Sequence, residues 1–220
     1  MEEQKGTTWI IIVSALLAVG VGYYIFTDLW DNTEAVDSGA SSAEVDLGEF
    51  IDIEPVDDTN GHTISVPSPD LDREVSFPAH IPEDVREILA KDITDISNAL
   101  RDNPNEFSLW IDLGINRKIV EDYEGARQAW EYASLINPTN NISFANLGDL
   151  YGYYLKDNQK AKENYGRAIE NGPSSIWIYF NTASFYRDIG DLETARSIVE
   201  QGIEWNPDVE ELKELLESLV

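Results

Sequence analysis

Cysteine is absent from the 220 residues. That excludes disulfides, a thiolate nucleophile, cysteine-ligated zinc or iron–sulfur clusters, and lipidation at cysteine. Histidine is scarce: His62 and His80 are the only two, which leaves little for metal ligation or proton transfer near neutral pH. Basic residues are few, 15 Lys and Arg against 42 Asp and Glu, a formal net charge of −27. Nucleic acid and anionic lipid surfaces need a cationic footprint and are repelled. Phosphate-cradling, dinucleotide, zincin and nucleophile-elbow motifs are all missing, and carboxylates on helices are ordinarily a solvated face. The sequence therefore reads as a protein that is not an enzyme and takes no cofactor or metal. An EF-hand at 56–61 fails as well: with Gly61 at loop position 6, Val56 and Pro67 occupy ligand positions 1 and 12.

The hydrophobic residues that are present are unevenly placed. Thr8 to Phe26 is a run of 19 residues without a charge. As a helix it spans about 28 Å, the thickness of a bilayer core. Trp9 stands at one end and Tyr23, Tyr24 and Trp30 at the other, where aromatic belts form. A cleaved signal peptide has a shorter apolar core and a prompt small-residue site, whereas here the first such site is Ser38-Gly39-Ala40. The expectation is a retained single-pass anchor, residues 1–26 with the span at 8–26. Lys5 on the near side and acidic residues on the far side orient it with a cytoplasmic N-terminus and an extracytoplasmic (periplasmic or cell-surface) body. Ser14, Ala18 and Gly22 recur every fourth residue and offer a small-residue face for a homodimer.

Residues 27–80 hold 14 acidic residues and one basic residue, Arg73, with Pro55, Pro67, Pro69 and Pro78. That composition predicts a largely disordered acidic tether, extended by self-repulsion. Three less polar strips, Leu47 to Val56, His62 to Val66 and Glu74 to Phe77, are candidates for docking on a folded domain.

From residue 81 the pattern changes. Pro104, Pro138, Pro173 and Pro207, each after Asn or Gly, are spaced by 34, 35 and 34 residues, a period that signals stacked supersecondary units. Other positions repeat in phase. Ala126, Ala161 and Ala195 precede the prolines by 12, and Trp130, Tyr165 and Val199 follow those alanines by four. Ala133, Ala168 and Gly202 follow by seven. Trp110-x-x-Leu113-Gly114, Phe144-x-x-Leu147-Gly148 and Tyr179-x-x-Thr182-Ala183 open the units. A large residue with a small one four on makes an apolar stripe that lets a second helix approach, and proline ends that second helix.

This pattern resembles the tetratricopeptide repeat, an antiparallel helix pair, in three units at 107–140, 141–175 and 176–209. Arg117 departs from it where the other units carry Tyr151 and Tyr186. The second unit holds one inserted residue between Tyr151 and Ala161, expected in its turn. A half-repeat helix over 82–102 and a capping helix over 208–220, with Leu212, Leu215, Leu216 and Leu219 inward, complete an all-α domain at 81–220.

The resemblance implies a binding groove on the first helix of each pair, and with it a protein or peptide partner. Its lining residues are Ile111, Ile115 and Lys118; Asn146, Asp149 and Tyr153, with Ala145; and Trp177, Phe180, Asn181, Ser184 and Arg187. In the run Ile176 to Phe180, Tyr179 takes the core position, so Trp177 and Phe180 should project outward. Relatives that grip a C-terminal carboxylate use Lys, Asn, Asn, Lys and Arg; the matching positions are Ile111, Ile115, Asn146, Trp177 and Asn181, and only Asn146 agrees. The function expected is a membrane-anchored adaptor or scaffold. The alternatives are a structural subunit whose groove is filled by its own tether or a second copy, and a holdase-like chaperone.

Overall fold

The computed structural model describes residues 68–219. The anchor, its dimer face and the tether as far as residue 67 lie outside the described residues, as do the strips at 47–56 and 62–66. Among the described residues there is no strand, and no helix is long and apolar enough to cross a membrane.

Eight helices follow in order: α1 Glu83–Asp102, α2 Phe107–Ile119, α3 Tyr123–Ile136, α4 Asn141–Asp149, α5 Asn158–Asn171, α6 Ile176–Asp188, α7 Leu192–Trp205 and α8 Glu210–Ser218. Each packs on the next, and α2–α3, α4–α5 and α6–α7 are the closest pairs. The result is a one-dimensional stack of helix pairs, flanked by α1 in front and α8 behind. The flanking helices lie within a residue or two of their expected bounds, with Pro82 as the residue before α1. Leu212 and Leu219 of the rear cap are buried, and Leu215 and Leu216 are half-buried beside them.

The pairs cross where the sequence places its small residues. A Cβ on Gly114 would stand 2.2 Å from the Trp130 ring, and one on Gly148 would stand 2.7 Å from that of Tyr165. The third pair reverses the arrangement, with Gly202 of α7 under Tyr179 of α6. Between units, the helix before each proline ends on Asn103, Asn137, Gly172 or Asn206, whose N–H returns to a carbonyl four residues back. The proline carbonyls find donors across the turn. Trp110 Nε1 donates to Pro104 O and Tyr179 Oη to Pro173 O, both at 2.8 Å, while Asn171 Nδ2 serves Pro138 O at 3.0 Å.

The turns inside the pairs share a second device. Asp122, Asp157 and Asp191 each accept the N–H of the residue three on, capping the orphan donors of α3, α5 and α7. The residue before each aspartate, Glu121, Lys156 or Gly190, has a left-handed backbone with φ of 60°, 58° and 84°.

The inserted residue of the second unit is not in that turn. It is absorbed at the end of α4, where Leu150–Leu155 form a π turn that closes with Lys156 N–H on Tyr151 O. One extra residue in a helix widens a single turn to i→i+5 hydrogen bonding and leaves the following turn unchanged. Gly152 sits in that turn against the Phe185 ring.

The tether is also shorter than expected. Residues 69–80, inside its expected range, lie against the helices. Along 68–77 exposure alternates: Pro69, Leu71, Arg73, Val75 and Phe77 are half-buried, while the residues between them are exposed. Leu71, Val75 and Phe77 pack on the front core. The physical reason is that α1 has no first-type helix before it, and this extended strap covers apolar surface that such a helix would cover.

Candidate functional site

The first helices α2, α4 and α6, with the π turn, form one wall of the stack. Polar contacts join them across the units. Lys118 Nζ of α2 lies 4.9 Å over the ring of Tyr154, and Tyr154 stacks at 4.8 Å on Tyr123. Asn181 Nδ2 of α6 donates to Asp149 Oδ2 of α4 through a long bond of 3.4 Å, and Tyr165 Oη donates to Asp149 Oδ1 at 2.5 Å. Tyr153 Oη donates to Asp188 Oδ2 at 3.3 Å, and Arg187 pairs with the same carboxylate at 3.1 Å.

These contacts set the electrostatics. Burial pushes the Asp149 carboxyl above its ordinary range, against the opposing effects of the Tyr165 hydroxyl and the Lys118 charge. Tyr165 is driven far above its usual value by burial and then by the charge of Asp149. Asp112, which stands at the position of Asn146 and Asn181 in the first unit, is also raised, by burial alone. The wall thus carries carboxylates poorly compensated by cations.

The expected lining residues divide three ways. Ile115 is exposed, and Asn146 and Ser184 are half-buried; neither polar side chain makes a hydrogen bond among the described residues. Lys118, Asp149, Tyr153, Asn181 and Arg187 lie on the wall but are engaged as described. Ile111 is a correction: it is 5% exposed and belongs to the front core, as Ala145 belongs to the rear one. α2 lies between α1 and α3, so its buried arc is wider than a single stripe and takes in the row beside Trp110. Trp177 and Phe180 do not stand free either. Ile178 and Tyr179 are both fully buried, and the flanking Trp177 and Phe180 are half-buried against the rear core. Two consecutive residues about 100° apart turn inward together, so both neighbours rest on the rim of the core.

Sequence reasoning missed a second group of residues, around Arg117. Its side chain is 3% exposed and donates to the backbone carbonyls of Arg73 (2.8 Å) and Glu74 (3.2 Å) of the strap and to Asp122 Oδ2 (3.1 Å). Arg73 meets the same carboxylate two-pronged, through Nε (2.7 and 3.0 Å) and Nη2 (2.7 Å). The sequence signal was an arginine where the other units carry tyrosine, five residues before the aspartate. Burial lowers the Arg117 pKa, and the Asp122 bond raises that of Arg73. Burial alone would raise Asp122. The Arg73 and Gly125 hydrogen bonds and the two guanidinium charges outweigh it, and the carboxyl falls below its ordinary range.

A family model for the tetratricopeptide repeat matches residues 143–173 and 178–209, the second and third pairs. The first pair, outside those matches, carries the same aspartate cap, left-handed turn residue and glycine–aromatic crossing. No curated protein sequence matches the chain. Among solved structures it is similar to one described as "Crystal structure of MamA", at 16% identity, over 64% of this chain and 84% of that one, with a TM-score of 0.48.

Proposed function

We propose that this chain is a membrane-anchored adaptor that holds a partner protein or peptide on the wall formed by α2, α4 and α6, without catalysis. The observation that carries the reading is a wall built from the first helix of three consecutive pairs, two of them matched to a repeat whose members generally bind proteins. Asn146 and Ser184 stand on that wall without a side-chain hydrogen bond among the described residues, beside exposed Ile115. An extended chain finds amide donors and acceptors there beside apolar and aromatic contact from Ile115, Trp177 and Phe180. The uncharged run at Thr8 to Phe26 supplies the anchor, and the acidic residues after it supply reach on the extracytoplasmic side. The helix face at Ser14, Ala18 and Gly22 is available for pairing two anchors.

A filled groove was the alternative for the wall. The described part of the strap hydrogen-bonds to Arg101 of α1, Arg117 and Asp122, and none of those contacts involves Ile115, Asn146 or Ser184, which favours an open wall. The test is photocrosslinking in native membranes from Asn146 and Ser184, with exposed Glu200 of α7 as the control. One dominant adduct from the wall positions and none from the control supports the adaptor. Many weak adducts indicate a holdase, and equal adducts from wall and control refute the wall as the binding face. Protease added to cells whose outer layer has been permeabilised, with the plasma membrane left sealed, reports the side: a body protected from digestion there refutes the export.

A further inference from the structure

The three aspartates at the pair turns offer an internal comparison. Asp157 and Asp191 cap their helices through the Lys160 and Thr194 N–H groups at 3.1 Å and take no guanidinium. Asp122 caps α3 the same way through Gly125 N–H at 3.0 Å, yet it also receives Arg73 and Arg117. Capping therefore accounts for one of its roles and not for the others. Arg117 itself stands where Tyr151 and Tyr186 stand in the other units, and it spends its donors on two successive carbonyls of an extended chain. The site is shaped for this pairing: a Cβ on Gly125 would stand 2.3 Å from Asp122 Oδ2 and 3.1 Å from Arg117 Cδ.

We infer that this cleft, between α1 and the end of α2 with its following turn, where Arg117 and Asp122 stand, is a second peptide-recognition site of the domain, which takes an extended segment with an arginine between apolar residues at alternate positions and is filled in this chain by its own residues 69–77. Its elements divide the recognition as a peptide site does. Arg117 reads backbone carbonyls, which every extended segment presents and a helix does not. Asp122 reads the planar fork of one arginine through three contacts, which a lysine ammonium cannot reproduce. The front core receives the alternate apolar side chains of Leu71, Val75 and Phe77. At the far side Arg101 holds Asp72 at 2.6 Å and Leu71 O at 3.4 Å, an exposed and weaker clamp. The site is distinct from the α2/α4/α6 wall, and its partner is a segment of the same pattern from another chain. Displacing the strap frees residues 69–77 and adds up to about 30 Å to the tether, at about 3.3 Å per extended residue.

The cysteine-free chain allows one fluorophore at exposed Ser76 through Ser76→Cys. A peptide with the sequence of residues 68–80 is added in excess to the full-length labelled protein. The expected result is a rise in label mobility as the strap is displaced, at concentrations at least tenfold lower than for the same peptide with Ala or Lys in place of its arginine. In the full-length Arg73→Ala, Phe77→Ser variant the cleft is vacated, and the labelled peptide binds at least tenfold tighter than to the wild-type chain. Equal effects of the arginine and alanine peptides overturn the inference. So does failure of the peptide either to mobilise the wild-type strap or to bind a vacated variant of unchanged helicity. Should that variant not fold, Asp122→Asn keeps an acceptor for the helix cap while losing the charge. It is expected to mobilise the Ser76 label without peptide, and an unmoved label overturns the inference equally.

Discussion

Gly152 and Phe185 form the joint between the second and third helix pairs, and the structure allows the effect of exchanging their sizes to be worked out. A Cβ on Gly152 would lie 2.8 Å from both Cδ2 and Cε2 of Phe185. The ring is 1% exposed, with the rings of Tyr165, Tyr186 and Tyr153 at 5.3, 5.4 and 6.3 Å, so it has nowhere to swing. Overpacking of this kind costs about 1–3 kcal/mol, and alanine recovers at most about 1 kcal/mol over glycine in a helix. With the overpacking cost near the middle of that range, about 2 kcal/mol, Gly152→Ala is expected to destabilise by about 1 kcal/mol net. Phe185→Leu alone loses ring contacts and leaves a cavity, for about 1–2 kcal/mol. Together the added methyl enters the space the ring vacates. The double variant should be no less stable than Phe185→Leu, a coupling of about 1–3 kcal/mol equal to the relieved clash. Urea denaturation followed by far-ultraviolet circular dichroism measures all four corners of the cycle. Gly152→Ala costing under about 0.5 kcal/mol, or single effects that add to within about 0.3 kcal/mol, would refute the claim that this joint is close-packed.

Lys156 holds a left-handed backbone where the third pair uses Gly190, so Lys156→Gly is expected to gain about 0.5 kcal/mol in urea, the left-handed strain of about 1 kcal/mol less glycine's extra chain entropy. Asp122 has a depressed pKa in the folded chain, so its contribution is present above the ordinary carboxylate value near 4 and is lost as pH falls through the folded value. A label at Ser76→Cys should therefore gain mobility in the acid range below about pH 4, with no such transition in Asp122→Asn. Asp149 has the opposite sign: its raised pKa means that stability is lost as pH rises through the folded value, because the ionised form is disfavoured by burial. Asp149→Asn keeps an acceptor for Tyr165, so its thermal midpoint should exceed wild type at pH 7 and converge on it near pH 4. A lower midpoint at pH 7 refutes that reading.

The pairing of helices was readable because it rests on spacing. Trp110 with Gly114, Trp130 with Ala126 and Ala133, and the prolines each occupy a position whose geometry follows from 3.6 residues per turn and from proline's missing donor. What was not readable depends on which of two sterically equal solutions the chain takes. One extra residue between Tyr151 and Ala161 lengthens either a turn or a helix, and counting does not distinguish them. The turn is already committed to a left-handed residue followed by an aspartate cap, and Gly152 makes room beside Phe185, so the helix absorbs the extra residue. The wall was legible by position but not by occupancy. Ile111 is covered because α2 has helices on both sides, and Asn181 and Asp149 meet across two units, neither of which the spacing within one unit reveals. The strap was legible only in part: Glu74 to Phe77 stood out as a docking strip, whereas Pro69 to Arg73, interleaved with acidic residues, read as tether, because the alternation of Leu71, Arg73, Val75 and Phe77 has no partner strand to mark it.

The strap also changes what the acidity of the chain means. Eight arginines are present, and four of them, Arg73, Arg86, Arg101 and Arg117, donate hydrogen bonds from or to residues 70–81. In a chain of net charge −27 half of the arginines thus serve the junction between tether and domain. The stack behind it is held by apolar crossings such as Gly114 under Trp130, which salt strengthens if it affects them at all. The two parts should then separate under ionic strength. The exposed Arg101–Asp72 clamp contributes at most about 1 kcal/mol and weakens further with salt, whereas Arg117, out of water, is screened little. The first end of the strap to lift is therefore the one at Leu71 and Asp72, nearest the acidic tether, and the arginine-reading centre at Asp122 releases last. An arginine-bearing competitor consequently meets a strap that peels from its tether end. Pull on the tether and competition by a partner segment act on the same end of the same contact.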